Sequence, residues 1–170
     1  SSFRGSGAGS NSAAGESPEP LPAMVKNPTR PIGRRAFMLS AAAMGATAFQ
    51  KGLGAIHAIS HPVGALYNTH HGTTNAVVMP MVLAFNRPAI EDAIRRLANY
   101  LDIAGGFNGF MDFLLQLNQS MNIPKNLREL GVIDPDLDAL TAAALADPSA
   151  GGNPVKMTRE NTRQLLEKCL

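Results

Sequence analysis

The sequence predicts an all-α domain, on three observations. From Arg34 onward, apolar residues recur at spacings of three and four rather than two. The segments between turn residues are rich in Ala, Leu and Met, which are strong helix formers. No stretch alternates apolar and polar residues between turns, as a half-buried strand would. The 170 residues are one domain's worth of chain, and 45% hydrophobic against 16% charged is enough apolar material for a packed core. Residues 1–33 are the exception. They are dominated by Ser, Gly, Pro and Ala without periodicity, and cannot bury enough apolar surface to offset the entropy of ordering them. They read as a disordered tail ahead of a folded part at 34–170.

The helices follow in order. Ala36 to Phe49 is an Ala- and Met-rich run, and Gly52 to Ala76 holds all four histidines. Thr73 to Phe85 is apolar nearly all round, as in a helix buried on most sides. Pro88 is placed to open the next helix, in which Ile90, Ile94, Leu97 and Leu101 make one buried stripe. Phe110, Leu114, Leu117 and Met121 repeat that pattern. Asp134-Pro135 reads as an N-cap and first-turn proline before Leu137, Leu140 and Ala144. Thr158 caps a last helix carrying Leu165 and Leu166.

Composition excludes several function classes. The longest apolar runs are about half the roughly 20 residues of a membrane span, so no transmembrane helix is expected. One cysteine, Cys169, excludes an internal disulfide framework and a Cys-rich zinc site. A net charge of +2, no Trp and 5% aromatic residues argue against a nucleic-acid partner. Two motifs mislead. Arg34-Arg35 before an apolar run ending Ala46-Thr47-Ala48 imitates a twin-arginine export signal. The run flows into the histidine segment without a linker, so it reads as a structural helix, and the expected location is cytoplasmic. Gly52-Leu53-Gly54 lacks the preceding strand and third glycine of a dinucleotide fingerprint.

The chemistry lies in the histidines. His57 and His61 are four apart and share one helix face, Pro62 and Gly64 then end or bend that helix, and His70 and His71 return beyond a turn. Imidazoles from two sides of a bend can converge on one ion. The spacing is not that of a zinc protease, since Ala58 stands where a glutamate base is required. The residues alone leave two readings open: a metal site, or four histidines acting as polar fillers and helix-terminus partners.

The run from Ala48 through Gly52-Leu-Gly-Ala-Ile-His57-Ala-Ile-Ser-His61-Pro to Tyr67-Asn-Thr-His-His71-Gly72-Thr-Thr-Asn75 resembles the histidine signature of the iron-containing alcohol dehydrogenase family. Val77-Val-Met-Pro80, Leu83-Ala-Phe-Asn-Arg-Pro88, Gly131-Val132 and Gly152-Asn153-Pro154 extend the likeness over about Arg34 to Leu170. The resemblance implies a helical bundle corresponding to part of the C-terminal domain of a two-domain dehydrogenase. It implies that His57 and His71 ligate a catalytic Fe(II), or in some members Zn(II). His61 is implied as the catalytic residue beside the metal, near the nicotinamide and in proton relay, and His70 falls at a variable position. The whole enzyme would interconvert a small-molecule alcohol and its aldehyde with NAD(P).

The resemblance also implies two further ligands, an Asp and a His four apart on an earlier helix. No Asp precedes Asp92 and no His precedes His57, and the Gly-rich nucleotide turn is absent. The expectation is therefore a partial, metal-binding domain that is inactive alone, with homo-oligomerisation or pairing with a full-length subunit as its partnership. Two other readings stand beside it: a non-catalytic helical interaction module, or a glycerol dehydrogenase or maleylacetate reductase on the same scaffold.

Overall fold

Helical periodicity translates directly into structure. In a computed structural model that describes residues 52–170, with Ala46 alone before them, every regular element among the described residues is helical. The tail at 1–33 and the run Ala36 to Phe49 with its arginine pair lie outside the described residues, Ala46 apart. The order is α1 (Ala55–Tyr67), α2 (His71–Tyr100), α3 (Gly106–Ser120), α4 (Leu137–Ala146), a 3-10 turn (Pro148–Gly152) and α5 (Arg159–Cys169).

α1 runs straight through Pro62 and past Gly64 before Asn68 closes it in the left-handed conformation, at φ 52°. Of the end or bend expected at Pro62 and Gly64, the end therefore does not occur. Ile59, Pro62 and Val63 are buried together, and their burial outweighs the one backbone hydrogen bond a proline removes. The same correction applies to α2. Pro88 does not open a helix. The two expected segments are one helix of 30 residues with Pro80 and Pro88 inside it. Pro80 cannot donate to the Ala76 carbonyl, and the Asn118 amide of α3 takes its place at 3.0 Å. Val77, Val78 and Val82 are buried on the same helix, each worth about 1.5–3 kcal/mol against the roughly 3 kcal/mol of an interior proline. Along the expected stripe, Ile90, Ile94 and Leu97 are only half-buried and Leu101 is exposed, while Ala98 is buried.

α3 starts at a tight turn in which Gly105 and Gly106 both adopt positive φ, and buries Phe107 and Leu114. The start of α4 is also corrected. Asp136, not Asp134, is its N-cap, accepting from the Ala139 amide at 2.9 Å, and Leu140 and Ala144 face inward as expected. Asp134 takes a positive φ instead, so Pro135 precedes the cap rather than following it. Thr158 caps α5 as expected, in a reciprocal box with Asn161.

The core joins all five helices except α3: Ile59 and Val63 of α1, Val78 and Val82 of α2, Leu140 and Ala144 of α4, Leu165, Leu166 and Cys169 of α5. Leu127 and Val132 fill it from the α3–α4 connection. No helix among the described residues is long and apolar enough to cross a membrane.

Candidate functional site

α1 has no side chain of its own to cap it, because its N-cap is Gly54. The cap arrives from 98 residues away. Asn153 Oδ1 accepts from the Ala55 amide at 3.0 Å and from Asn86 Nδ2 at 2.9 Å. Its Nδ2 donates to Asn86 Oδ1 and to the Val155 carbonyl, both at 2.7 Å. Gly54, at φ 73°, leaves room for this. A Cβ there would lie 3.1 Å from Asn153 Oδ1. The first turn of α1, which carries His57, is thus held to the middle of α2 and to the chain beyond the 3-10 turn.

One helical turn on, His61 follows His57, and the three-residue link 68–70 returns the chain so that His71 opens α2. The three imidazoles meet. Ring centroids are 5.2 Å apart for His57 and His71, 5.3 Å for His61 and His71, and 5.6 Å for His57 and His61. The structure therefore brings together the three histidines singled out in the sequence. His70 lies apart, capping α2 by accepting from the Thr73 amide through Nδ1 at 3.3 Å.

Asn75, one turn into α2, ties the cluster. Its Nδ2 lies 3.0 Å from His71 Nε2 and 3.4 Å from His57 Nε2, so both nitrogens come within reach of one atom. Burial, and then the neighbouring His71 and His61, push the His57 pKa below the ordinary imidazole value, with Asp147 opposing. That favours the neutral ring, the form that binds metal. His57 Nδ1 and Asn75 Oδ1 are buried without a hydrogen-bond partner among the described residues, a sign that the cluster is not self-sufficient.

Asp147 completes it. Oδ2 lies 2.8 Å from His61 Nδ1, while Oδ1 accepts from the Ser149 amide at 2.8 Å at the head of the 3-10 turn. Burial opposes its ionisation, but the bonds from His61 and Ser149 prevail and hold its pKa below the ordinary carboxylate value. Sequence reasoning missed Asp147 and the role of Asn75. Asp147-Pro148 carries a helix-start signature, but nothing in the spacing announces a partner 86 residues away.

An ion fits this donor set only in part. Two imidazole nitrogens, Nε2 of His57 and of His71, both lie against the Asn75 amide nitrogen, with orphaned polar atoms beside them. Yet no group of three or more His, Cys, Asp or Glu side chains among the described residues is arranged to hold a metal. A hollow of about 630 Å³ between α2, α3 and the segment 122–125, lined by Pro80, Asn118 and Lys125 among others, contains none of the histidines.

The C-terminal model of the Fe-containing alcohol dehydrogenase family matches residues 18–170, beginning inside the stretch that composition reads as a tail. The 4-hydroxybutyrate dehydrogenase of Cupriavidus necator is 37% identical over 145 residues, covering 80% of this chain and 38% of the relative. The lactaldehyde reductase of Escherichia coli K12 is 36% identical over 121 residues, covering 67% of this chain and 32% of its own length. Among solved structures, the iron-containing alcohol dehydrogenase of Corynebacterium glutamicum superposes with a TM-score of 0.70 at 35% identity, over 88% of this chain and 41% of that one. This chain thus spans between about a third and two fifths of these relatives' lengths. The all-α fold, the family match and the identities agree: the chain belongs to the Fe-containing alcohol dehydrogenase family, and what it matches is that family's C-terminal part.

Proposed function

We propose that this chain forms the metal-side part of an iron-dependent, NAD(P)-linked oxidoreductase that interconverts a small alcohol and its aldehyde. The observation that carries the reading is the approach of His57 and His71 Nε2 to one atom, with His61 stacked on His71. In this reading His57 and His71 hold Fe(II), or Zn(II), and His61 serves the proton. When bound, the metal supplies Lewis acidity toward an alcohol oxygen. The chain's own residues do the rest. Low pKa keeps His57 a neutral ligand, Asn75 aligns both rings, and the His61 ring centroid lies 5.3 Å from that of His71, its Nε2 without a protein partner among the described residues.

Two neutral imidazoles leave the ion's charge uncompensated, so binding by this chain alone is weak and alcohol oxidation absent. The remaining donors belong to the complete enzyme, as does the nicotinamide site, and pairing with a second subunit is a route to both. A cytoplasmic location belongs to the same proposal. The absence of a third donor among the described residues favours one second reading, a non-catalytic helical module.

Calorimetric titration of the chain with Zn(II) tests the assignment. His57→Ala and His71→Ala should each abolish the weak binding, and His70→Ala should leave it. Loss with His70→Ala but not His71→Ala overturns the ligand assignment. Tight binding and NAD-linked alcohol oxidation by the chain alone overturn its incompleteness.

A further inference from the structure

We propose that Asp147 is the positioning residue for His61: it accepts from Nδ1, fixes the ring in the Nδ1–H tautomer and so leaves Nε2 as an unprotonated nitrogen at the histidine cluster. This rests on the reading of His61 as the proton-handling group, and it adds a residue to the site that the histidine signature does not contain.

The argument is one of hydrogen-bond inventory. A neutral imidazole has one donor and one acceptor nitrogen, and an unconstrained ring populates both arrangements. An ionised carboxylate can only accept. With Asp147 Oδ2 at 2.8 Å from His61 Nδ1, the proton of a neutral ring must therefore sit on Nδ1. The carboxylate is itself fixed. Its other oxygen takes the Ser149 amide at 2.8 Å, Pro148 sets the turn, and its side chain is only 13% exposed, against 42% for His61. Asp147 is thus the anchored partner and His61 the more accessible one. His61 Nε2 has no protein hydrogen-bond partner among the described residues. A carboxylate, a histidine and an open imidazole nitrogen is the arrangement by which an orienting acid selects which nitrogen does chemistry.

Asp147→Asn separates this role from a structural one. Asparagine is as good an N-cap as aspartate, so the 3-10 turn keeps its start. Its amide, however, can donate to Nδ1, so the obligatory acceptor is gone. Uniformly ¹⁵N-labelled protein is compared by long-range ¹H–¹⁵N correlation at about pH 8.5, above the ordinary imidazole value of about 6.5. His61 is assigned from its loss in His61→Gln. Unmodified protein should show His61 protonated at Nδ1. Asp147→Asn should show Nε2–H or averaged nitrogens, with unchanged helical circular dichroism. Asp147→Glu should restore the Nδ1–H form at least in part. An unmodified protein with His61 protonated at Nε2 or averaged overturns the proposal without recourse to any variant. So does an Asp147→Asn protein that keeps the original tautomer. The metal assignment fails separately: loss of Zn(II) binding specificity for His57 and His71, with the His61 tautomer intact, overturns that reading alone.

Discussion

Replacing Asn153 by alanine is the sharpest test of how the fold holds the histidine cluster. The side chain makes four hydrogen bonds, to the Ala55 amide, to both ends of the Asn86 amide and to the Val155 carbonyl, all between 2.7 and 3.0 Å. Asn86 is 5% exposed, so both ends of its amide are left in the interior without a partner. A buried polar group deprived of its partner costs about 1–3 kcal/mol. Water can reach the Ala55 amide and the Val155 carbonyl more easily, so the two ends of Asn86 dominate. The expected loss is about 3 kcal/mol, a large share of the 5–15 kcal/mol typical of a domain. Urea denaturation followed at the helical circular dichroism band reads it. With a slope of about 2 kcal/mol/M, the midpoint should fall by about 1.5 M. Asn86→Ala should cost a similar amount. The double variant should cost much less than the sum, because the partner it would orphan is already gone. A midpoint within 0.3 M of the unmodified protein, or additive single and double variants, would refute the account of Asn153 as the tie between α1 and α2. Because Ala55 opens the turn that carries His57, Zn(II) binding by the Asn153 variant should also weaken.

Three further outcomes are expected. Gly109→Ala places a methyl group onto the Ala104 carbonyl, a backbone group of the turn that starts α3, so α3 should lose its first turn at about 2–3 kcal/mol or more; an unchanged urea midpoint would contradict this. His57 has its pKa lowered on folding, so the unfolded chain binds more protons below about pH 6.5. Stability should therefore be full above that value and decline as pH falls through it. The decline should be shallower in His57→Gln, as denaturation midpoints at pH 8 and 5.5 would show. Burial pushes the Cys169 thiol up to about 12 from 9.0. The thiol's contribution to stability is thus full below about pH 9 and is lost as pH rises toward 12. Native Cys169 should also react with an aromatic disulfide reagent at pH 8 at least about a thousandfold more slowly than in urea.

The helices are legible in the sequence, and the core-facing residues in part, because both follow from local periodicity; the stripe Ile90, Ile94, Leu97 and Leu101 is not part of the core. Leu140, Ala144, Leu165 and Leu166 are buried where the spacing puts them. The helix face shared by His57 and His61, and the turn before His70 and His71, follow from spacing, but setting His70 apart from the other three comes from the family resemblance and not from periodicity. What local rules misjudged were the prolines. Pro88 reads as a helix start and Pro62 as an end or bend, yet both lie inside helices, because burial along α1 and α2 exceeds the penalty of one missing bond. Asp147 and Asn153 carry no local signal for what they do. Their partners lie 86 and 98 residues back, and such distances leave no trace in spacing.

The Ala76 carbonyl has a consequence for how this fold assembles. Pro80 denies it the bond a helix would normally supply, and Asn118, 42 residues on, provides it from α3. α1 is in the same position at its first turn, where Asn153 fills the role of a missing cap. Neither helix is complete as an isolated piece of chain. A peptide spanning residues 52–100 would hold every histidine in correct order, yet each of its two helices would contain a vacancy that only later sequence can fill. The cluster is therefore a product of Asn118, Asp147 and Asn153, up to 98 residues further along the chain, as much as of the histidines themselves. Transplanting the histidine segment onto another scaffold would need Asn118, Asp147 and Asn153 to travel with it.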